Sequence, residues 1–215
     1  TTHTVRYSFF SESGLIAVGV EDECAWTPPV SLAAQIPNAT SGWGTILCDT
    51  YVNGSLVSTN TCAFQLTVPA SVVPSISNVV FSEATSGVAD RFGGYVRTRS
   101  KLSVSITATG AQGSSISAYR TSIDGVTYSG SSFTTNAFNT AGNLTMTVTV
   151  TDSRGRTAST TRTVTVLDYS PPSLSQFTAE RCNADGTVAQ TDGTKVRISA
   201  KASGSSVGGK NTLAC

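Results

Sequence analysis

Charged side chains are scarce in this sequence: Lys, Arg, Asp and Glu make up 13% of its 215 residues, and the formal net charge is +1. Proteins that bind nucleic acid neutralise phosphates with clustered Lys and Arg, and no run of basic residues occurs here. No apolar stretch approaches the roughly 20 residues that a transmembrane helix needs. We therefore expect neither a nucleic-acid partner nor a membrane span.

Catalytic side chains are also scarce, because the only histidine is His3, close to the first residue. A Ser–His or Cys–His pair is hard to build from that position. The one acidic cluster, Glu21 to Glu23, is typical of a solvated turn rather than of paired glycosidase carboxylates. We expect no enzyme, no cofactor and no metal site. The chain starts at Thr1 and reaches Cys215 without closing a domain, so we expect a fragment of a longer polypeptide.

Five cysteines leave at least one thiol unpaired. They are Cys24, Cys48, Cys62, Cys182 and Cys215. Cys62 continues an alternation with Phe64 and is predicted to face a core. The first interpretation is a set of small buried thiols made in a reducing compartment. A disulfide that joins Cys48 to Cys62, or Cys24 to Cys48, is the alternative.

Serine and threonine, by contrast, are abundant, with 64 residues of these two types. In the segment 143–167 they alternate with apolar residues: Leu144, Met146, Val148 and Val150 have one parity, and the threonines between them have the other. Strict period-2 alternation predicts strands with one apolar and one hydroxylated face. The polar turn around Gly155 makes this segment a β-hairpin, and other short alternating runs predict an all-β fold.

Two proline-containing stretches, Pro69 to Pro74 and Tyr169 to Pro172, divide the chain into similar modules. We predict tandem immunoglobulin-like β-sandwich domains: residues 1–70 with a first strand missing, residues 74–168 as the most complete unit, and residues 172–215 as the start of a third. About seven short strands with turns such as Asp124–Gly125 support this prediction for the middle module.

Four residues are candidate surface contacts. Trp43 stands between two glycines, which favours an exposed loop that contacts carbohydrate or a neighbouring subunit. Trp26 precedes two prolines and is predicted either to pack at a strand end or to stack on a sugar. Arg154 and Arg156 occupy the tip of the 143–167 hairpin, where solvated turn charges are the plain expectation and a phosphate-containing polymer is the alternative.

Several motifs together resemble a family of siphophage minor structural proteins of unknown function. They are Ile36 to Gly42, Val68 to Pro74, Thr151 to Ala158, Tyr169 to Pro172 and Arg181 to Asn183. The resemblance covers nearly the whole chain. It implies a virion protein of the phage tail, associated with the tail tip, baseplate or fibre and synthesised in the bacterial cytoplasm.

On this basis we expect a spacer or host-adhesion segment of a tail fibre or tail tip. Its expected partners are other tail proteins, further copies of itself and host cell-wall polysaccharide. Two other classes stay open: a bacterial surface adhesin repeat, and an accessory carbohydrate-binding module of a cell-wall hydrolase.

Overall fold

Strands account for 56% of the chain and helices for 5%, which confirms the all-β prediction. The computed structural model describes residues 1–212. Within these residues the strands form four sheets, and nearly all neighbouring strands are antiparallel. Abundant Thr, Val and Ser favour this outcome, because β-branched side chains suit a pleated surface.

The first four strands form one antiparallel sheet in the order β2-β1-β3-β4. Their bounds are Thr2–Phe9 for β1, Glu12–Val20 for β2, Ser41–Val52 for β3 and Ser55–Thr67 for β4. An Asn53–Gly54 turn joins β3 to β4, and both of its residues have positive φ. Both edges of this sheet, β2 and β4, lack a further strand in residues 1–212.

The sandwich predicted for residues 1–70 differs from this arrangement, because within residues 1–212 no second sheet packs on β1–β4. A short 3₁₀ helix, Val30–Gln35, covers part of one face instead. Apolar residues of this helix and of its C-terminal end pack against the strands and complete the core. That core consists of Phe9, Leu32, Ala33, Ile36, Leu66 and Val68.

Residues 75–167 form two sheets that share one core. The strands are β5 Ser75–Glu83, β6 Tyr95–Val96, β7 Leu102–Thr109, β8 Ile116–Ile123, β9 Val126–Ser129, β10 Ser132–Thr134, β11 Gly142–Asp152 and β12 Thr157–Leu167. One sheet has the order β10-β7-β5 and the other β6-β12-β11-β8-β9. A five-residue helix, α1, spans Val88–Phe92.

The alternating segment forms the predicted hairpin, β11 paired with β12 in continuous register. Its apolar parity is buried: Met146, Val148 and Val150 are at most 1% exposed. Met146 and Val148 form a core with Leu102 and Val104 of the opposite sheet, and this core is separate from the core of residues 1–70.

The last strands, β13 Ser173–Cys182 and β14 Lys195–Ser203, form a two-stranded ribbon. Most of its side chains are exposed, including Phe177 and Ile198, while Cys182 is buried, as is Val207 in the segment after the ribbon. The division of the chain at 70, 74, 168 and 172 stays a prediction. Cys215 lies outside the described residues.

Candidate functional site

The tip of the β11–β12 hairpin is held in shape by a buried carboxylate, Asp152. This side chain is 1% exposed. It accepts hydrogen bonds from the backbone N–H groups of Arg154 at 3.0 Å and Arg156 at 2.8 Å, and from the Ser114 hydroxyl at 3.0 Å. Gly155 completes the turn at φ +80°, a conformation that glycine adopts without a steric penalty. The turn therefore fixes the backbone of both arginines independently of their side-chain contacts.

Arg154 lies between the first sheet and the two sheets of residues 75–167. Its guanidinium donates to the carbonyl oxygens of Ala33 at 2.7 Å and Ile36 at 3.2 Å, around the end of the 3₁₀ helix. It also donates to Ala111 at 2.7 Å and Gln112 at 2.6 Å, in the β7–β8 loop. A carbonyl oxygen has two lone pairs and can accept a second donor beside a backbone N–H, so the planar guanidinium joins the two parts of the chain.

Arg156 binds in the same way to the segment that links these two parts of the chain. It donates to the carbonyl oxygens of Val68 at 2.6 Å, Val72 at 2.8 Å and Pro69. The Ser153 hydroxyl adds a bond of 2.6 Å to the Pro37 carbonyl. We call Ser153, Arg154 and Arg156 the hairpin clamp.

The expectation of a solvated charge is wrong for Arg154. Arg154 is 8% exposed, and its donors are occupied by backbone carbonyls of this chain. Nothing in the local sequence indicates this, because a turn of type Asp-Ser-Arg-Gly-Arg is equally suited to solvent. The acceptors come from residues about 40 and about 120 positions away, and only tertiary packing brings them together.

A second pair of arginines holds the joint near Tyr169. Arg97 donates twice to the Tyr169 carbonyl, at 3.2 and 2.8 Å, and forms an ion pair with Asp168 at 3.1 Å. Arg99 lies over the Tyr169 ring, 5.0 Å from its centroid, and donates to its hydroxyl at 3.2 Å. The Ser205 hydroxyl bonds to the N–H and the carbonyl of Ser170. We call Arg97 and Arg99 the second clamp.

The two tryptophans differ in their surroundings. Trp26 is half-buried, stacks on Tyr7 with ring centroids 4.8 Å apart, and meets the edge of Phe64. It lines a shallow apolar hollow of about 320 Å³ beside the core of the first sheet. Trp43 is 65% exposed. Its neighbour across the ladder is Gln65, on the sheet face opposite to Phe64.

Trp43 lies within strand β3, not in the loop that its flanking glycines predicted. A Cβ atom at Gly44 would come within 2.5 Å of the Phe64 ring, and one at Gly42 within 3.1 Å of Phe9. The glycines therefore make room for aromatic rings on the covered face of the sheet, while Trp43 points to the other face.

The chain matches the model of one protein family, described as "Siphovirus protein of unknown function (DUF859)", over residues 1–212. The chain belongs to this siphovirus family. Membership indicates a structural role in the phage. A comparison with curated proteins finds no match.

The thiols of this siphovirus protein are free at Cys24, Cys48, Cys62 and Cys182, so neither disulfide considered from the sequence forms. Cys62 is exposed, contrary to the expectation of a core position, because the 3₁₀ helix covers the other end of its sheet face. The Cys48 Sγ lies 3.7 Å from the His3 Nδ1. Among residues 1–212, no group of three or more His, Cys, Asp or Glu side chains is arranged to hold a metal ion.

One further charged group is built into the first sheet. Asp49 accepts hydrogen bonds from the Thr59 hydroxyl at 2.6 Å and from the Arg6 guanidinium at 2.5 Å. The Thr59 bond and then the Arg6 contacts lower the pKa of Asp49, against an opposing effect of burial. No helix in the described part of the chain has the length and apolar character needed to cross a bilayer.

Proposed function

We propose that this siphovirus protein is a non-enzymatic spacer segment of the tail fibre or tail tip, in which clamped joints hold successive β modules at fixed angles. The observation that carries the proposal is the hairpin clamp, in which Arg154 donates hydrogen bonds to two separate parts of the chain at once. Membership of a siphovirus family supports a place in the virion.

Fixed joints are the property that a spacer needs. Modules joined by small polar interfaces usually move relative to one another. Here two arginines donate to seven carbonyls at the first joint. A guanidinium with several hydrogen bonds has a defined orientation, because its donors lie in one rigid plane. Such a joint would transmit force along a tail rather than bend.

We further propose that residues 74–168 are an immunoglobulin-like domain. Its three-stranded sheet β10-β7-β5 and five-stranded sheet β6-β12-β11-β8-β9 correspond to the strand orders E-B-A and A′-G-F-C-C′ of that fold,. Domains of this type bury their own cores and can follow one another along a chain. This supports the interpretation of the chain as a row of modules.

A weak contact with host cell-wall polysaccharide is a second proposed role, and Trp43 favours it. This indole is 65% exposed on an open sheet face beside the amide of Gln65. An exposed aromatic ring with polar neighbours suits stacking on a sugar. Sedimentation with purified cell walls should retain the wild-type protein more strongly than Trp43→Ala; equal retention would exclude this role.

Electron microscopy of virions tests the tail assignment. Gold-labelled antibody against this chain should mark the tail tip or fibre, and antibody preabsorbed with the purified chain should not. Label on the capsid, or an absence of label on intact virions that contain the protein by mass spectrometry, would refute the assignment.

A further inference from the structure

The edge strands of this protein differ in how well they are protected against pairing with another chain. An edge strand presents unpaired N–H and C=O groups, and natural proteins blunt it by shortness, charge or bulges. β6, β9 and β10 have two, four and three residues. β5 carries Glu83 and a bulge, the free part of β12 carries Arg162, and β13 and β14 together carry five charged residues.

The two edges of the first sheet show the same contrast. β2 has two irregularities in its pairing with β1 and contains Glu12. β4 is 13 residues long and contains neither a charged residue nor proline. Its pairing with β3 has one irregularity, near its start, and is continuous from Ser58 to Thr67. Among the described residues β4 is thus the long edge strand that nothing blunts.

The orientation of the β4 backbone follows from its ladder with β3. The Val68 N–H donates to the Thr40 carbonyl at 2.8 Å, and these residues continue the β3–β4 register. Since hydrogen-bonded and non-hydrogen-bonded pairs alternate in an antiparallel ladder, the even-numbered residues of the regular stretch from Ser58 to Thr67 bond to β3. The odd-numbered residues, among them Thr61, Ala63 and Gln65, direct their N–H and C=O groups outward.

We propose that the outer edge of β4 pairs antiparallel with β4 of a second copy, which joins two four-stranded sheets into one of eight strands. Pairing with a second copy suits this strand because it has no charged side chains that would repel the same side chains of the partner strand. A two-fold axis places the outward odd-numbered residues of one β4 opposite those of the other. Their side chains then lie on the same face of the sheet in both copies, so each face continues across the contact between the two β4 strands, which we call the seam. The middle of the regular stretch is near Cys62, which is exposed.

The proposal is independent of the tail assignment, because it is tested on the purified chain. Sedimentation velocity over a concentration series should show a reversible dimer of the reduced protein. Ala63→Pro removes an outward N–H without touching the bonds to β3, and proline is tolerated at such edge positions. Loss of one donor from each copy should weaken dimerisation about 30-fold or more.

Ala63→Val keeps the N–H group and is the matched control, which should dimerise like the wild type. If Ala63→Pro does not fold, as judged by circular dichroism, Thr61→Lys replaces it and places like charges close together at the seam. A wild-type chain that stays monomeric would overturn the proposal. So would a dimer that Ala63→Pro and Thr61→Lys leave unchanged.

Cysteine cross-linking gives a second, position-specific measurement. In a background with serine at Cys24 and Cys215, mild oxidation should produce a disulfide-linked dimer through Cys62, since facing residues of paired strands come within disulfide range. The same background with Cys62→Ser should give none. Dimers that form no intermolecular disulfide in the first background would count against this seam.

Discussion

The replacement of Arg154 by methionine is the most direct test of the clamped first joint. Methionine has a similar length and fills much of the same volume, but it cannot donate a hydrogen bond. The substitution removes the bonds to Ala33, Ile36, Ala111 and Gln112 together. It leaves the Asp152 turn intact, because that turn uses the backbone N–H of Arg154.

The expected loss of stability follows from these four bonds. A protein hydrogen bond contributes about 1 kcal/mol net, which makes about 4 kcal/mol for the set. Methionine loses a similar rotamer entropy when it is ordered at the same site, so this contribution cancels and a loss of about 4 kcal/mol remains. Three of the four carbonyls also accept a backbone N–H, so the variant leaves them paired. For a chain of this size the melting temperature should fall by roughly 8–16 °C.

Calorimetry measures this effect, and Arg162→Ala is the matched control. Arg162 belongs to the same hairpin, is exposed, and bonds only to Thr160 and Thr161 in the described structure. Its loss should change stability by less than about 0.5 kcal/mol. Spin labels at Ser13 and Thr127, in a background without native cysteines, should also show a broader distance distribution in Arg154→Met. An Arg154→Met variant with the melting temperature and the spin-label distance distribution of the wild type would refute the clamp.

Three further predictions concern the first sheet. Gly44→Ala should destabilise it by about 1–3 kcal/mol through overpacking, whereas Gly94→Ala, whose new Cβ would lie 3.5 Å from its nearest neighbour, should be tolerated; chemical denaturation of both variants measures the difference. Because the folded-state pKa of Asp49 is lowered, its stabilising contribution is complete above the unfolded value of about 3.9 and is lost as pH falls through the lower folded value. The difference in melting temperature between the wild type and Asp49→Asn should thus be constant near neutral pH and shrink below about pH 4, and a constant difference down to pH 2 would contradict this. Iodide should quench the fluorescence of Trp43 strongly and that of Trp26 weakly, as single-tryptophan variants can show; equal quenching would contradict the assigned exposures.

Alternation predicted the strands well where one face is buried and the other is hydroxylated. The 143–167 hairpin follows its sequence pattern residue by residue, since a shift by one position would expose Met146 and Val148. The loop predicted at Trp43 is wrong, because glycines inside a strand give the same sequence signal as glycines in a loop. Gly42 and Gly44 are core-facing positions at which an aromatic neighbour supplies the missing volume.

The sequence by itself determined the all-β class, the hairpins and the hydroxyl-rich faces, because these depend on neighbours two residues apart and on local turn chemistry. Only the tertiary structure decided that a 3₁₀ helix completes the first core, that Arg154 and Arg156 join separate parts of the chain, and that β4 remains an open edge. Each of these depends on backbone groups that are distant in sequence, and a backbone carbonyl has no residue-specific signal by which a sequence could reveal it as a partner.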